Sequence, residues 1–174
     1  MMDIFCEYIV KKKVELLDVL KVIGIWLLAF LLSTVDILFV TQILGGGISL
    51  AIVAILFYFA FLLSKIIYVE FEYALTNNEM DVDKIIGRSR RKRVITVDFK
   101  TIELCASVND AMYKNQYENT SSITKTINVT GKSDYDVYFV DFVDSSGKIR
   151  VLFQPTDKMK DALKLINPRA IHIV

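Results

Sequence analysis

VIGIWLLAFLLSTVDILFVTQILGGGISLAIVAILFYFAFLLSKII, residues 22–67, holds two apolar stretches, Val22–Leu44 and Ile48–Ile67, back to back around the turn Gly45-Gly46-Gly47. About twenty mostly apolar residues at ~1.5 Å each span a hydrocarbon core of ~30 Å. Lipid offers no partner for an exposed backbone N–H or C=O, so each stretch must be helical. A buried soluble hairpin would confine its apolar residues to one stripe, whereas aliphatic and aromatic residues cover every face of the second stretch. The reading is a transmembrane helical hairpin over 22–67, with spans 22–44 and 48–67.

Flanking charge sets the orientation. Lys11, Lys12, Lys13 and Lys21 precede the first span, the glycine turn is uncharged, and Lys65 at the end of the second span, Lys84 and the run Arg88–Arg93 lie beyond the turn. The positive-inside rule puts both termini in the cytoplasm of a protein integral to the plasma membrane. A cleaved signal peptide fits poorly, because the apolar run is too long, contains Asp36 and lacks a small-residue cleavage site. Within the cytoplasmic residues 1–21, Ile4, Phe5, Tyr8, Ile9, Leu16, Leu17 and Leu20 recur among charges at near-helical spacing. That spacing predicts an interfacial amphipathic helix on the inner leaflet, although a plain extension of the first span fits it equally.

Asp36 is the one acid inside a span, where insertion costs ~2.5–3.5 kcal/mol and a partner is expected. Counted outward from Gly46 it is level with about Leu56 and within a turn of Tyr58. Tyr58, or a second copy of the chain in a homo-oligomer, is therefore the expected partner. Two helices enclose no ion pathway. Packing against a transporter as an accessory subunit is the alternative role for this acid.

From residue 69 the apolar period changes to that of strands. Val69–Thr76 ends at Asn77-Asn78 and pairs with Met80–Gly87; Arg93–Phe99 follows, then Ile102–Ala106 in the opposite phase, which implies a bend at Lys100-Thr101. A polar loop covers 107–122 and a strand 123–130. Asp136–Asp144 and Lys148–Gln154 form a hairpin closed by Ser145-Ser146-Gly147. Thr156–Ile166 is an amphipathic helix with Met159, Ala162, Leu163 and Ile166 on one stripe, closed by Asn167-Pro168. Seven strands and a helix over 69–174 predict an α+β protein whose cytoplasmic part is a small antiparallel β-barrel or sandwich capped by the helix.

The segment EYALTNNEMDVDKIIGRSRRKRVITVDFKTIEL, placed directly after two spans, resembles bacterial two-helix membrane proteins with a pleckstrin-homology-like (PH-like) cytoplasmic domain. The likeness covers the hairpin and residues 69–166. Tyr73, Leu75 and Thr76 look like the end of that domain's first strand; Ile95, Val97, Phe99 and Ile102 look like its third and fourth. The resemblance implies a fold that displays surfaces to lipids, peptides and proteins, and specifies none of them.

Arg88, Arg90, Arg91, Lys92 and Arg93 place five cations in six residues close behind the second span. At ~1 kcal/mol per basic residue near an anionic leaflet, they are candidates for contact with phospholipid head groups; a plain topology and solubility signal reads the same way. Nucleic acid is disfavoured, since no aromatics interleave the run. Asp81, Asp83, Asp98 and Glu103 alternate with apolar residues and read as a solvated face with basic cross-strand partners, not as metal ligands. Cys6 and Cys105 lack metal-site spacing and His172 is the only histidine, so no zinc site or histidine triad can be assembled, and both cysteines read as free thiols. No cofactor motif is present. The net charge of +1 hides a local excess of Lys and Arg. The chain is read as a non-enzymatic, membrane-anchored module that presents its domain to a protein partner, with lipid sensing by residues 88–93 as the alternative.

Overall fold

The computed structural model describes residues 4–173, which divide into two compact units. One holds the chain up to Lys13, Glu70–Ile85 and everything from Arg90; the other holds Val14–Val69 and the short turn Ile86–Ser89.

The first unit begins with a strand, β1 (Phe5–Lys11), where the spacing predicted an interfacial helix. It pairs antiparallel with β2 (Val69–Thr76), from Phe5 opposite Thr76 to Lys11 opposite Glu70. The physical reason is period. Cys6 and Val10 are buried on the inner face while Phe5 and Ile9 stand exposed on the outer one, and two apolar sets offset by one residue mimic a helical stripe. The unpaired edge of β2, some sixty residues on, supplies the hydrogen bonds that a local pattern cannot reveal.

β3 (Glu79–Ile86) and β4 (Arg90–Asp98) complete a four-stranded sheet in the order β1-β2-β3-β4. The other sheet comprises β5 (Leu104–Ser107), β6 (Lys125–Asn128), β7 (Tyr138–Asp144), β8 (Gly147–Phe153) and β9 (Ile171–His172), ordered β6-β8-β7-β5-β9. The domain is thus a pair of sheets where closure into one barrel was an option. β9, like β1, went unread: two residues are too few to show alternation.

The inner faces meet through Tyr73, Phe99 and Phe153, with the Tyr73 ring edge-on to Phe153 and the Phe99 ring tilted against it, each pair 6.2 Å apart. The Tyr73 hydroxyl donates to the Val129 carbonyl at 2.7 Å. Helix α5 (Asp157–Ile166) starts where Thr156 accepts from the Met159 N–H, and buries Met159 and Leu163 completely. The edge strand β1 is held a second time by an antiparallel bridge in which Lys132 N–H donates to the Lys11 carbonyl at 2.7 Å. Gly131 makes this approach feasible, since a Cβ there would lie 2.2 Å from that same carbonyl oxygen.

The second unit is the helical hairpin. α1 (Leu16–Val35) runs into a π-helical turn, Asp36–Val40, and then α2 (Thr41–Leu44); Gly45, at φ 80°, reverses the chain into α3 (Gly46–Ile67). Leu16–Leu44 and Gly46–Ile67 have mean hydropathies of 2.3 and 2.5 and are both long enough to cross a membrane. The seam between the helices buries small residues, Ala29, Ser33, Ser49, Ala60 and Ser64, while Leu27, Phe30, Leu31, Phe39 and Phe59 point outward and exposed. Small residues inside and large apolar ones outside is the arrangement expected of helices packed in lipid.

Candidate functional site

The basic run falls in two places. Gly87–Ser89 forms the turn between β3 and β4, with Gly87 at φ 58° and Arg88 at φ 61°, and Arg90–Arg93 opens β4. Arg91 donates to Glu72 at 2.9 Å. Arg93 bridges Asp81 and Asp83, each at 2.5 Å. These carboxylates are cross-strand partners of arginine, and Lys148 likewise meets Glu103 at 2.5 Å. Arg88, Arg90 and Lys92 stay exposed and form no ion pair among the described residues.

The turn closes on the end of α3. The Gly87 N–H donates to the Tyr68 carbonyl at 2.9 Å, and a Cβ at Gly87 would come within 3.2 Å of the Lys65 carbonyl oxygen. Lys65, Tyr68, Gly87 and Arg88 line a cavity of about 460 Å³. The sequence marks Lys65 only as a flanking charge and Tyr68 not at all; a cation in the last turn of a span and an aromatic just after it were the only signal.

Glu72, on the outer face of β2, is 3% exposed. One of its oxygens takes the Arg91 hydrogen bond and the other is buried without a donor among the described residues. Burial, followed by the neighbouring Glu7 carboxyl, raises its pKa against the pull of Arg91. A carboxylate beside another acid resists ionising.

In the hairpin, Asp36 is buried and accepts from the Ser49 hydroxyl, which itself accepts from Thr41 at 2.9 Å. Tyr58, the expected partner, is 60% exposed instead. The chain makes a π-helical turn here. Thr41 N–H bonds the Asp36 carbonyl five residues back, which brings both side chains to Ser49, nearer the glycine turn than α-helical counting gives.

The polar loop after β5 is ordered by a residue that sequence reading passed over. Arg150 on β8 is 2% exposed and grips Asp141 on β7 through Nε and an Nη, both at 2.7 Å. Its remaining donors reach the Tyr117 carbonyl at 2.5 Å and the Gln116 carbonyl at 3.0 Å, in the short helix α4 (Lys114–Glu118). Upstream of α4, Tyr113 stacks on His172 with ring centres 4.7 Å apart. The loop, the end of α5 and β9 enclose a shallow pocket of about 460 Å³ lined by Asp110, Met112, Tyr113, Lys164 and His172 among others. Met112 is 75% exposed at its rim. The detectable signal was opposite charge at mirrored positions of the clearest hairpin, Asp141 and Arg150. Cys6 and Cys105 are free and buried, and burial pushes the Cys105 thiol up, away from reactive thiolate chemistry.

A two-sheet domain with a C-terminal helix, interrupted after its first strand by a hairpin apolar enough for a bilayer, defines a PH-like module with candidate membrane anchors. The chain belongs to the family described as Bacterial PH-like domain (DUF6106), whose profile matches residues 2–173. The match takes in the hairpin together with both sheets. No curated protein and no solved structure matches the chain.

Proposed function

We propose that this protein is a non-enzymatic, membrane-anchored interaction module that presents its PH-like domain at the inner leaflet to a protein partner. The observation that carries this reading is the loop after β5. It contributes little to the core, yet a buried Arg150–Asp141 pair is committed to holding it, beside a pocket rimmed by the exposed Met112. Ordering a surface loop at the cost of two buried charges is expected where the surface is used. Tethering at both ends adds support: four residues separate β1 from α1, and only Tyr68 separates α3 from β2. Short tethers raise the effective concentration of the domain for any partner in the same membrane.

The test is site-specific photocrosslinking in native membranes. A probe replacing Met112 should give one discrete adduct that a probe at the exposed Lys125 on β6 does not. No adduct at either position, or the same one at both, removes the proposal. A reporter fused after Val174 checks the orientation and should lie in the cytoplasm.

Arg88, Arg90 and Lys92, exposed and without an ion pair among the described residues, favour a second reading, attraction to anionic lipid. Three cations at ~1 kcal/mol each would contribute ~3 kcal/mol, screened by salt.

A further inference from the structure

We infer that the cavity between the end of α3 and the β3–β4 turn is a discrete binding site for the phosphate of an anionic lipid head group, held by Lys65 and Arg88. The two cations lie twenty-three residues apart in sequence and are brought to one cavity by the backbone bond from Gly87 to Tyr68. The volume of about 460 Å³ falls within the range of small-ligand sites.

Charge decides which ligand fits. The C-terminus of α3 contributes the equivalent of about −0.5 charge, so two cations overcompensate it and leave about +1.5 without a counterion. None of Lys65, Tyr68, Gly87 and Arg88 carries an acid, and Arg88 makes no ion pair among the described residues. Lys65 Nζ lies over the Phe61 ring, 4.3 Å from its centre, and a ring face leaves ammonium donors free for an oxygen anion. Arg88 adds a planar fork suited to two phosphate oxygens. Its backbone conformation is set by the turn, at φ 61° next to Gly87 at φ 58°.

Position decides the source. Lys65 lies in the last turn of the second apolar helix and Tyr68 immediately after it, with Tyr68 56% exposed. An aromatic and a lysine at the end of a span belong to the head-group level, where lipid phosphates are concentrated. The inference differs from diffuse attraction by the basic strand, because Arg90 and Lys92 do not line the cavity. It rests on the hairpin being embedded in a bilayer.

Native mass spectrometry of the full chain in a neutral detergent tests it, with dioleoyl phosphatidylglycerol, dioleoyl phosphatidylcholine and inorganic phosphate as probes. One phosphatidylglycerol should be retained about tenfold more tightly than phosphatidylcholine, whose choline cation opposes the site. Lys65→Gln with Arg88→Gln should abolish that preference, and Arg88→Gln alone, at an exposed turn, should reduce it. Arg90→Gln with Lys92→Gln should leave it intact. Displacement by millimolar inorganic phosphate would make the anion itself the ligand; resistance to it makes the lipid the ligand. Retention unchanged in the Lys65/Arg88 variant, or lost equally in the Arg90/Lys92 variant, overturns the site. Extraction of the chain by alkaline carbonate would instead show that the hairpin is not embedded, a failure separate from loss of lipid preference.

Discussion

Arg150 and Asp141 stand directly opposite each other on β8 and β7, joined by two 2.7 Å hydrogen bonds, with their side chains only 3% and 4% exposed. A bidentate pair leaves the guanidinium with donors to spare, and here they close the end of α4. Breaking the pair strands a buried charge at ~3–5 kcal/mol, whereas replacing both members with apolar residues can be neutral. Arg150→Ala should therefore lower the thermal midpoint sharply and open residues 108–122 to protease. Arg150→Met with Asp141→Leu should recover the midpoint but leave the loop cleavable, since the bonds to Gln116 and Tyr117 remain absent. Recovery of both together would mean that the pair does not hold the loop.

Glu72 makes stability depend on pH. Its folded-state pKa is raised, so the protonated acid belongs to the folded form, and its contribution is present below the unfolded carboxylate pKa and lost as pH rises through the folded value. Acidification from neutral pH should relieve the cost of a buried Glu72 charge facing Glu7 on β1. Glu72→Gln keeps an acceptor for Arg91 and removes the titration, so the difference in melting temperature between variant and parent should shrink as pH falls. A difference that does not change with pH would show that the Glu72 pKa is not raised in the folded protein.

Gly131 cannot carry a side chain where it lies. A methyl group would meet the Lys11 carbonyl oxygen at 2.2 Å and Val10 Cγ1 at 2.6 Å. Gly131→Ala should cost ~1–3 kcal/mol, typical of overpacking. Faster amide exchange should be confined first to β1, read by hydrogen exchange; uniform protection loss would point elsewhere.

Asp36 sets two terms against each other. Its insertion cost of ~2.5–3.5 kcal/mol exceeds the ~0.6 kcal/mol average of an interhelical hydrogen bond. Asp36→Leu should therefore improve insertion of the first span in a glycosylation-mapping assay and leave Ser49 bonded to Thr41. Poorer insertion would reveal a stronger intramembrane partner than Ser49.

The seven strands and the helix over 157–166 were legible because each carries its own periodicity and turn residues, as in Asn77-Asn78 or Ser145-Ser146-Gly147. The candidate site was less so. Arg88–Arg93 announce themselves as a cluster, but which of them are committed depends on Glu72, Asp81 and Asp83 across the sheet. Lys65 and Tyr68 line a cavity only where the β3–β4 turn reaches them.

Composition and local pattern alone determined the two bilayer-length helices, the β character of the chain beyond residue 69 and the capping helix, because hydropathy and period are properties of neighbouring residues. Only the tertiary structure decided that residues 5–11 are a strand, that Asp36 meets Ser49 and that Arg150 secures a loop some thirty residues upstream. Each of those depends on a partner distant along the chain, and the Asp36 contact lies beside one backbone irregularity, the π-helical turn, that no local pattern announces.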